Sequence, residues 1–131
     1  MNPIQQLSTP VGRLLLSFIF IMSGLAKIGG GYAATQGYME SVGISGSLLP
    51  LVILVEIAAG SAVLVGWKTR WAALALAGFS IVSGILFHSN FNDQTQMIMF
   101  MKNISMAGGL LILVSLGAGS YSFDNRQKTN S

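Results

Sequence analysis

Glu56 sits inside the apolar run 48–66, LLPLVILVEIAAGSAVLVG, and Lys102 inside the apolar run 97–116, MIMFMKNISMAGGLLILVSL. A charge in hydrocarbon costs about 2.5–3.5 kcal/mol on insertion scales, so such residues face a bundle interior or a wet cavity, usually with a partner. Three further polar groups stand at similar heights. Lys27 ends the run 11–28, His88 ends the run 71–88, and Asn103 follows Lys102. A carboxylate, two ammonium groups, an imidazole and an amide can hold the polar head of a ligand and relay a proton. Glu56 and Lys102 are the expected catalytic pair; Lys27, His88 and Asn103 are the expected ligand contacts.

Each residue also has a structural role open to it. Glu56 pairs with Lys27 or with Lys102, since spacing permits both, and such a pair can simply fix helix register. Lys27 can snorkel to the interface. His88 can be an ordinary hydrogen-bonded interfacial histidine, and Asn103 can bond a neighbouring helix. Met97, Met99, Met101 and Met106 read as core or lipid-facing filler rather than ligands.

These residues need a scaffold, and composition says which kind. Of 131 residues 52% are apolar and only 8% charged, against about 25% charged in soluble domains. Lipid is therefore the solvent. The net charge of +3 comes from scattered Lys and Arg with no basic stripe, which excludes nucleic acid as a partner. The chain has no cysteine and one histidine. It cannot supply a thiolate nucleophile, a haem attachment motif or iron–sulfur ligands by itself, and no metal site is expected.

Four runs are long enough to cross a bilayer, which takes about 17–25 residues. They are 11–28, 48–66, 71–88 and 97–116. The expected fold is an all-α membrane protein of one domain, an antiparallel bundle of four transmembrane helices. Gly29, Gly30 and Gly31 end the first helix, and the segment 32–42 after them reads as a short interfacial helix or re-entrant piece. Residues 67–70 make a tight turn. The tail 121–131 is polar and expected to fray. Arg13, Lys68, Arg70, Arg126 and Lys128 fall on one side and only Lys27 and Lys102 on the other. That bias puts both termini in the cytoplasm, and the polar groups in the outer half.

The helix faces carry stripes at helical spacing: Arg13, Ser17, Phe20, Gly24 and Lys27; Ala73, Ala77, Ser80, Gly84 and His88; Lys102, Ser105 and Gly109. Small residues mark the close-packed faces of membrane helices, so all three stripes are expected to face inward.

The ordered segments GLAKIGGGYAATQGYMESVG, LLPLVILVEIAAG, GWKTRWAAL, LFHSNFNDQTQMIMFMKNISMAGGLLIL and GAGSYSFDNR cover most of the chain. In these the chain resembles the DoxX family of small four-helix membrane proteins, most closely its YqjF-like inner-membrane branch. The resemblance implies a bacterial inner-membrane location. It also implies a link to quinones, because some relatives are described as subunits of quinone-linked oxidoreductases. Lys27, Glu56, His88, Lys102 and Asn103 are the positions that would carry a quinone-side role here.

Three functions fit. The first is the membrane subunit of a quinone-linked oxidoreductase, with quinone or quinol as the cofactor and electrons from a soluble or membrane-bound redox partner. The second is a non-enzymatic scaffold or assembly factor. The third is a small-molecule carrier, which with four spans requires a homo-oligomer.

Overall fold

The computed structural model describes residues 2–130, without the side chains of residues 127–130, so the side chain of Lys128 lies outside the described residues. Six helices follow one another: α1 (Pro3–Ala26), α2 (Gly30–Ser41), α3 (Gly46–Val65), α4 (Thr69–Phe87), α5 (Gln94–Leu116) and α6 (Phe123–Asn130). Helices α1, α3, α4 and α5 are the four long enough and apolar enough to span a membrane. The fold is the expected antiparallel bundle, with the expected short helix, α2, between the first two spans.

Helix ends follow local chemistry. Asn2 caps α1 with a reciprocal Asn2–Gln5 box and Pro3 opens the first turn, a position where its missing N–H costs nothing. This cap starts the helix well before residue 11, where the apolar run begins. Gly66 ends α3 at φ 76°, in the left-handed region that favours glycine. Asp93 caps α5 by accepting from the Thr95 N–H.

Two stripes face inward as expected. Arg13, Ser17, Phe20 and Gly24 are the buried residues of α1, and Ala73, Ala77, Ser80 and Gly84 are among those of α4. A Cβ on Gly24 would lie 2.5 Å from Ile57 Cγ1, and one on Gly60 3.1 Å from Ile21 Cγ1. These two glycines let α1 and α3 cross closely, as small residues do in lipid. The core joins Phe20, Val63, Leu76, Ala77, Ala107 and Leu110.

The third stripe faces inward only at Gly109, which packs on Leu16. Lys102 and Ser105 are exposed, and α5 buries Ala107, Leu110 and Leu113 instead. The packed face is turned by about one residue, or about 100°. It carries Asn103 inward and leaves Lys102 toward lipid.

The tail also departs from expectation. Rather than fraying, residues 123–130 form α6, and the segment before it is tied to the bundle. The Asp124 N–H donates to Gly66 O at 2.7 Å, and Arg13 donates to Tyr121 O.

Candidate functional site

Glu56 lies ten residues beyond Gly46, the start of α3. That is about 15 Å of helix, close to the middle of a hydrocarbon core about 30 Å thick. The turn that carries it, Val55–Ala59, is π-helical rather than α-helical. Such insertions re-aim side chains and recur at functional sites. Gly24 makes room for this turn, since a Cβ there would also stand 3.3 Å from Glu56 Cβ.

Glu56 is 3% exposed, and Lys27 Nζ approaches its Oε1 to 2.7 Å. Of the two partners open from sequence, Lys27 is the one it meets. At that distance the pair is a close, charge-assisted contact. Lys27 Nζ also donates to Ser23 O at 3.3 Å. Lys27 stands where α1 stops, level with Glu56, so the first helix ends well inside the bundle. Helix α2 then rises along the first turns of α3, where Gln36 Nε2 donates to Gly46 O at 3.2 Å.

The ion pair borders a cavity of about 340 Å³ between α1, α2, α3, α4 and α5. Its walls are mainly apolar, with Phe20, Met39, Val52, Phe79 and Met106 among them. Its polar rim holds Lys27, Glu56, His88 and Asn103, four of the five residues named from sequence. Asn103 Nδ2 donates to Ser80 O and to Ser83 Oγ, both at 3.2 Å. It fits there because Gly84 has no side chain: a Cβ would lie 3.3 Å from Asn103 Cβ. His88 Nδ1 lies 2.9 Å from Gln96 Oε1, which ties the end of α4 to the start of α5. Ser80 Oγ is buried and has no hydrogen-bond partner.

The fifth residue is elsewhere. Lys102 is absent from the cavity and lines a separate cleft on the lipid-facing side of α1 and α5, with Ile19, Ile98, Met101, Ser105 and Met106. It has no ion pair or hydrogen bond among the described residues. A Glu56–Lys102 pair is therefore replaced by Glu56–Lys27.

Sequence reasoning missed the contribution of α2. Thr35, Tyr38 and Met39 close the cavity's side. The Tyr38 hydroxyl donates to Phe87 O at 3.0 Å, and its ring tilts against Phe87 with centroids 5.7 Å apart. Spacing of Thr35, Tyr38 and Met39 at i, i+3 and i+4 carried the signal.

A second polar cluster, at the far end of the bundle, was also missed. Arg13 is 2% exposed. Its Nη1 donates to Val63 O at 3.3 Å and Leu64 O at 3.0 Å, and its Nη2 to Tyr121 O. Asp124 accepts from the N–H groups of Lys68 at 2.6 Å and Thr69 at 2.9 Å, capping α4. Burial alone pushes the Asp124 carboxyl up, but hydrogen bonds from Thr69 and Lys68 and the Arg13 charge outweigh it. The group ends below the ordinary aspartate value. A basic residue on a buried stripe needed a partner, and that was the available signal.

Comparison with known proteins places this architecture. The DoxX family model matches residues 9–89. Inner membrane protein YqjF of Escherichia coli (strain K12) is 46% identical over 124 residues, covering 95% of each chain. The chain belongs to the DoxX family. Inner membrane protein YphA of the same organism is 32% identical, over 88% of this chain and 87% of that one. The Surfeit locus protein 4 homolog of Schizosaccharomyces pombe is 28% identical over 89% of this chain and 36% of its own length. No solved structure gives a significant match. With inner-membrane relatives and four apolar spans, this DoxX protein is a multi-pass protein of the bacterial inner membrane. The DoxX match runs from α1 to just past His88, so it includes Lys27 and Glu56 but neither Lys102 nor Asn103.

Proposed function

We propose that this protein binds the ring of a quinone or quinol in the central cavity, as the membrane subunit of a quinone-linked oxidoreductase. The observation that carries the reading is the Lys27–Glu56 pair at the wall of a mainly apolar cavity near the bilayer centre. At about 340 Å³ the space falls at the lower end of ligand pockets, which run about 300–1,000 Å³. That suits one substituted ring. A quinone ring needs apolar walls and a donor for each of its two carbonyl oxygens. Lys27 is a donor on one side. The unpartnered Ser80 hydroxyl is the donor on the other, since Asn103 already gives both its N–H groups to Ser80 O and Ser83 Oγ.

Reduction of a quinone takes up two electrons and two protons. In this reading the Glu56 carboxylate relays both protons in turn, taking each from water and passing it to a ring oxygen. The electrons come from a partner protein, because a chain without cysteine has no ligands for an iron–sulfur cluster. Lys102, the other residue expected to take part in catalysis, has no role at the ring in this reading. The Lys and Arg bias sets both termini in the cytoplasm, which opens the cavity's half of the bundle toward the periplasm.

The test is titration of a tail-less benzoquinone into the purified protein in quinone-free nanodiscs. Saturable binding is expected, weakened about tenfold, or about 1.4 kcal/mol, by Glu56→Gln. No binding by a folded wild-type protein rejects the proposal.

One observation favours a scaffold instead. The ion pair joins α1 to α3 beside their closest crossing, at Gly24. A pin of that kind predicts that Lys27→Met with Glu56→Gln folds as well as wild type and keeps every partner contact.

A further inference from the structure

The cavity and the lipid-facing cleft share two wall residues, Ile19 and Met106. Those two side chains therefore line both the central site and the outer cleft. The seam they occupy is between α1 and α5, the least packed neighbouring pair of spans in the bundle. Toward the tail end the seam is shut, where Leu16 packs on Gly109: a Cβ there would lie 3.3 Å from Leu16 Cδ2. Ile19 is 42% exposed, and methionine is the most adaptable apolar side chain.

We infer that this seam is a lateral doorway, and that the ligand of the central cavity is a lipid-dissolved molecule whose hydrocarbon tail lies in the outer cleft. The inference rests on the ring-binding reading above. Three observations carry it. The cavity is ring-sized, at about 340 Å³, and has no room for a long chain. The adjoining cleft is apolar and open to lipid, with about 370 Å³ of space. Their shared wall is formed by Ile19 and by Met106, an adaptable thioether, with no polar residue between them. Lys102 then has a place. Its stem borders the cleft, while its unpaired ammonium extends toward the interface and marks the rim past which the tail leaves the protein.

The experiment compares two probes on each protein in nanodiscs: a tail-less benzoquinone and the same ring carrying a decyl chain. Ser105→Trp and Ile98→Trp fill the cleft, since both residues line it and neither lines the cavity. Leu111→Trp adds the same bulk to another lipid-facing position of α5 and serves as the control. All three sites are exposed, so folding should survive, and a melting curve for each variant checks it.

The expected result is about tenfold or greater weakening of the decyl probe by Ser105→Trp and Ile98→Trp, with the tail-less probe unchanged and Leu111→Trp neutral. Unchanged decyl binding in both cleft variants overturns the doorway and leaves the ring site standing. Equal loss of both probes in a folded cleft variant also overturns it, because the cleft would then belong to the ring site. Failure of both probes on wild type removes the ring site itself.

Discussion

The two ends of the bundle solve the same problem in opposite ways. At the tail end, Arg13 is buried and both its Nη groups donate to backbone carbonyls, three in all, while its Nε has no partner, and Asp124 accepts from two backbone N–H groups. At the α2 end, Glu56 is equally buried but has a single side-chain partner, Lys27, and a cavity beside it. The first cluster binds backbone groups of α3, α4 and the tail. The second joins one side chain to another beside a mainly apolar cavity. The two ends differ in what the buried charge meets, fixed backbone groups at one end and a single side chain at the other.

The comparison can be broken from the tail end first. Arg13→Met removes the side-chain donor from the carbonyls of Val63, Leu64 and Tyr121, of which Val63 O keeps the Gly66 N–H; a buried bond left unmade costs about 1–3 kcal/mol. It is expected to cost the most, about 4 kcal/mol in all, read as a loss of melting temperature or of expression. Ligand binding by the surviving folded fraction should be normal. Lys27→Met is expected next, at about 2 kcal/mol, a part-exposed position lowering the usual cost of stranding a buried charge. Adding Glu56→Gln should recover most of that stability while leaving binding lost. Recovery of both would make the two ends alike and dissolve the contrast.

A smaller effect concerns acid. Asp124 has its carboxyl held below the ordinary aspartate value, which is about 3.9. Its contribution is present above that value and disappears as pH falls through the lower folded-state value. Melting temperature should therefore fall below about pH 4 as the tail lets go, and Asp124→Asn should start lower and lose this part of the slope. The smallest effect is expected from Tyr38→Phe, which removes the bond to Phe87 O at a cost of about 0.5–1 kcal/mol. Faster hydrogen exchange confined to α2 would show it.

Much of this was legible in the sequence, because lipid imposes simple rules. Four apolar runs gave four spans. The α1 and α4 stripes gave the inward faces, since each contains small or polar residues that stand out against leucine. On α5 that contrast fails. Its lipid face and its packed face are both apolar, so Lys102–Ser105–Gly109 and Asn103–Met106–Leu110 look alike by period. The one-residue turn between them decides that Asn103 enters the cavity and Lys102 does not. The π turn at Val55–Ala59 was illegible because VEIAA suits an α-helix, and only the crossing at Gly24 reveals it. The Asp124 cap was hidden by distance, since its partners stand 55 and 56 residues away.

The tie between Arg13 and Tyr121 links positions 108 residues apart. Ribosomes add about 5–20 residues per second, so Arg13 is inserted well before its last acceptor exists. The bundle stays unclosed until the segment 121–124 has been made and docked. Chains broken off before that point carry a buried guanidinium short of partners and an uncapped α4. Docking of the segment 121–124 is thus expected to be a late step in closing this end of the bundle, because its partners on α1 and α3 are made long before it.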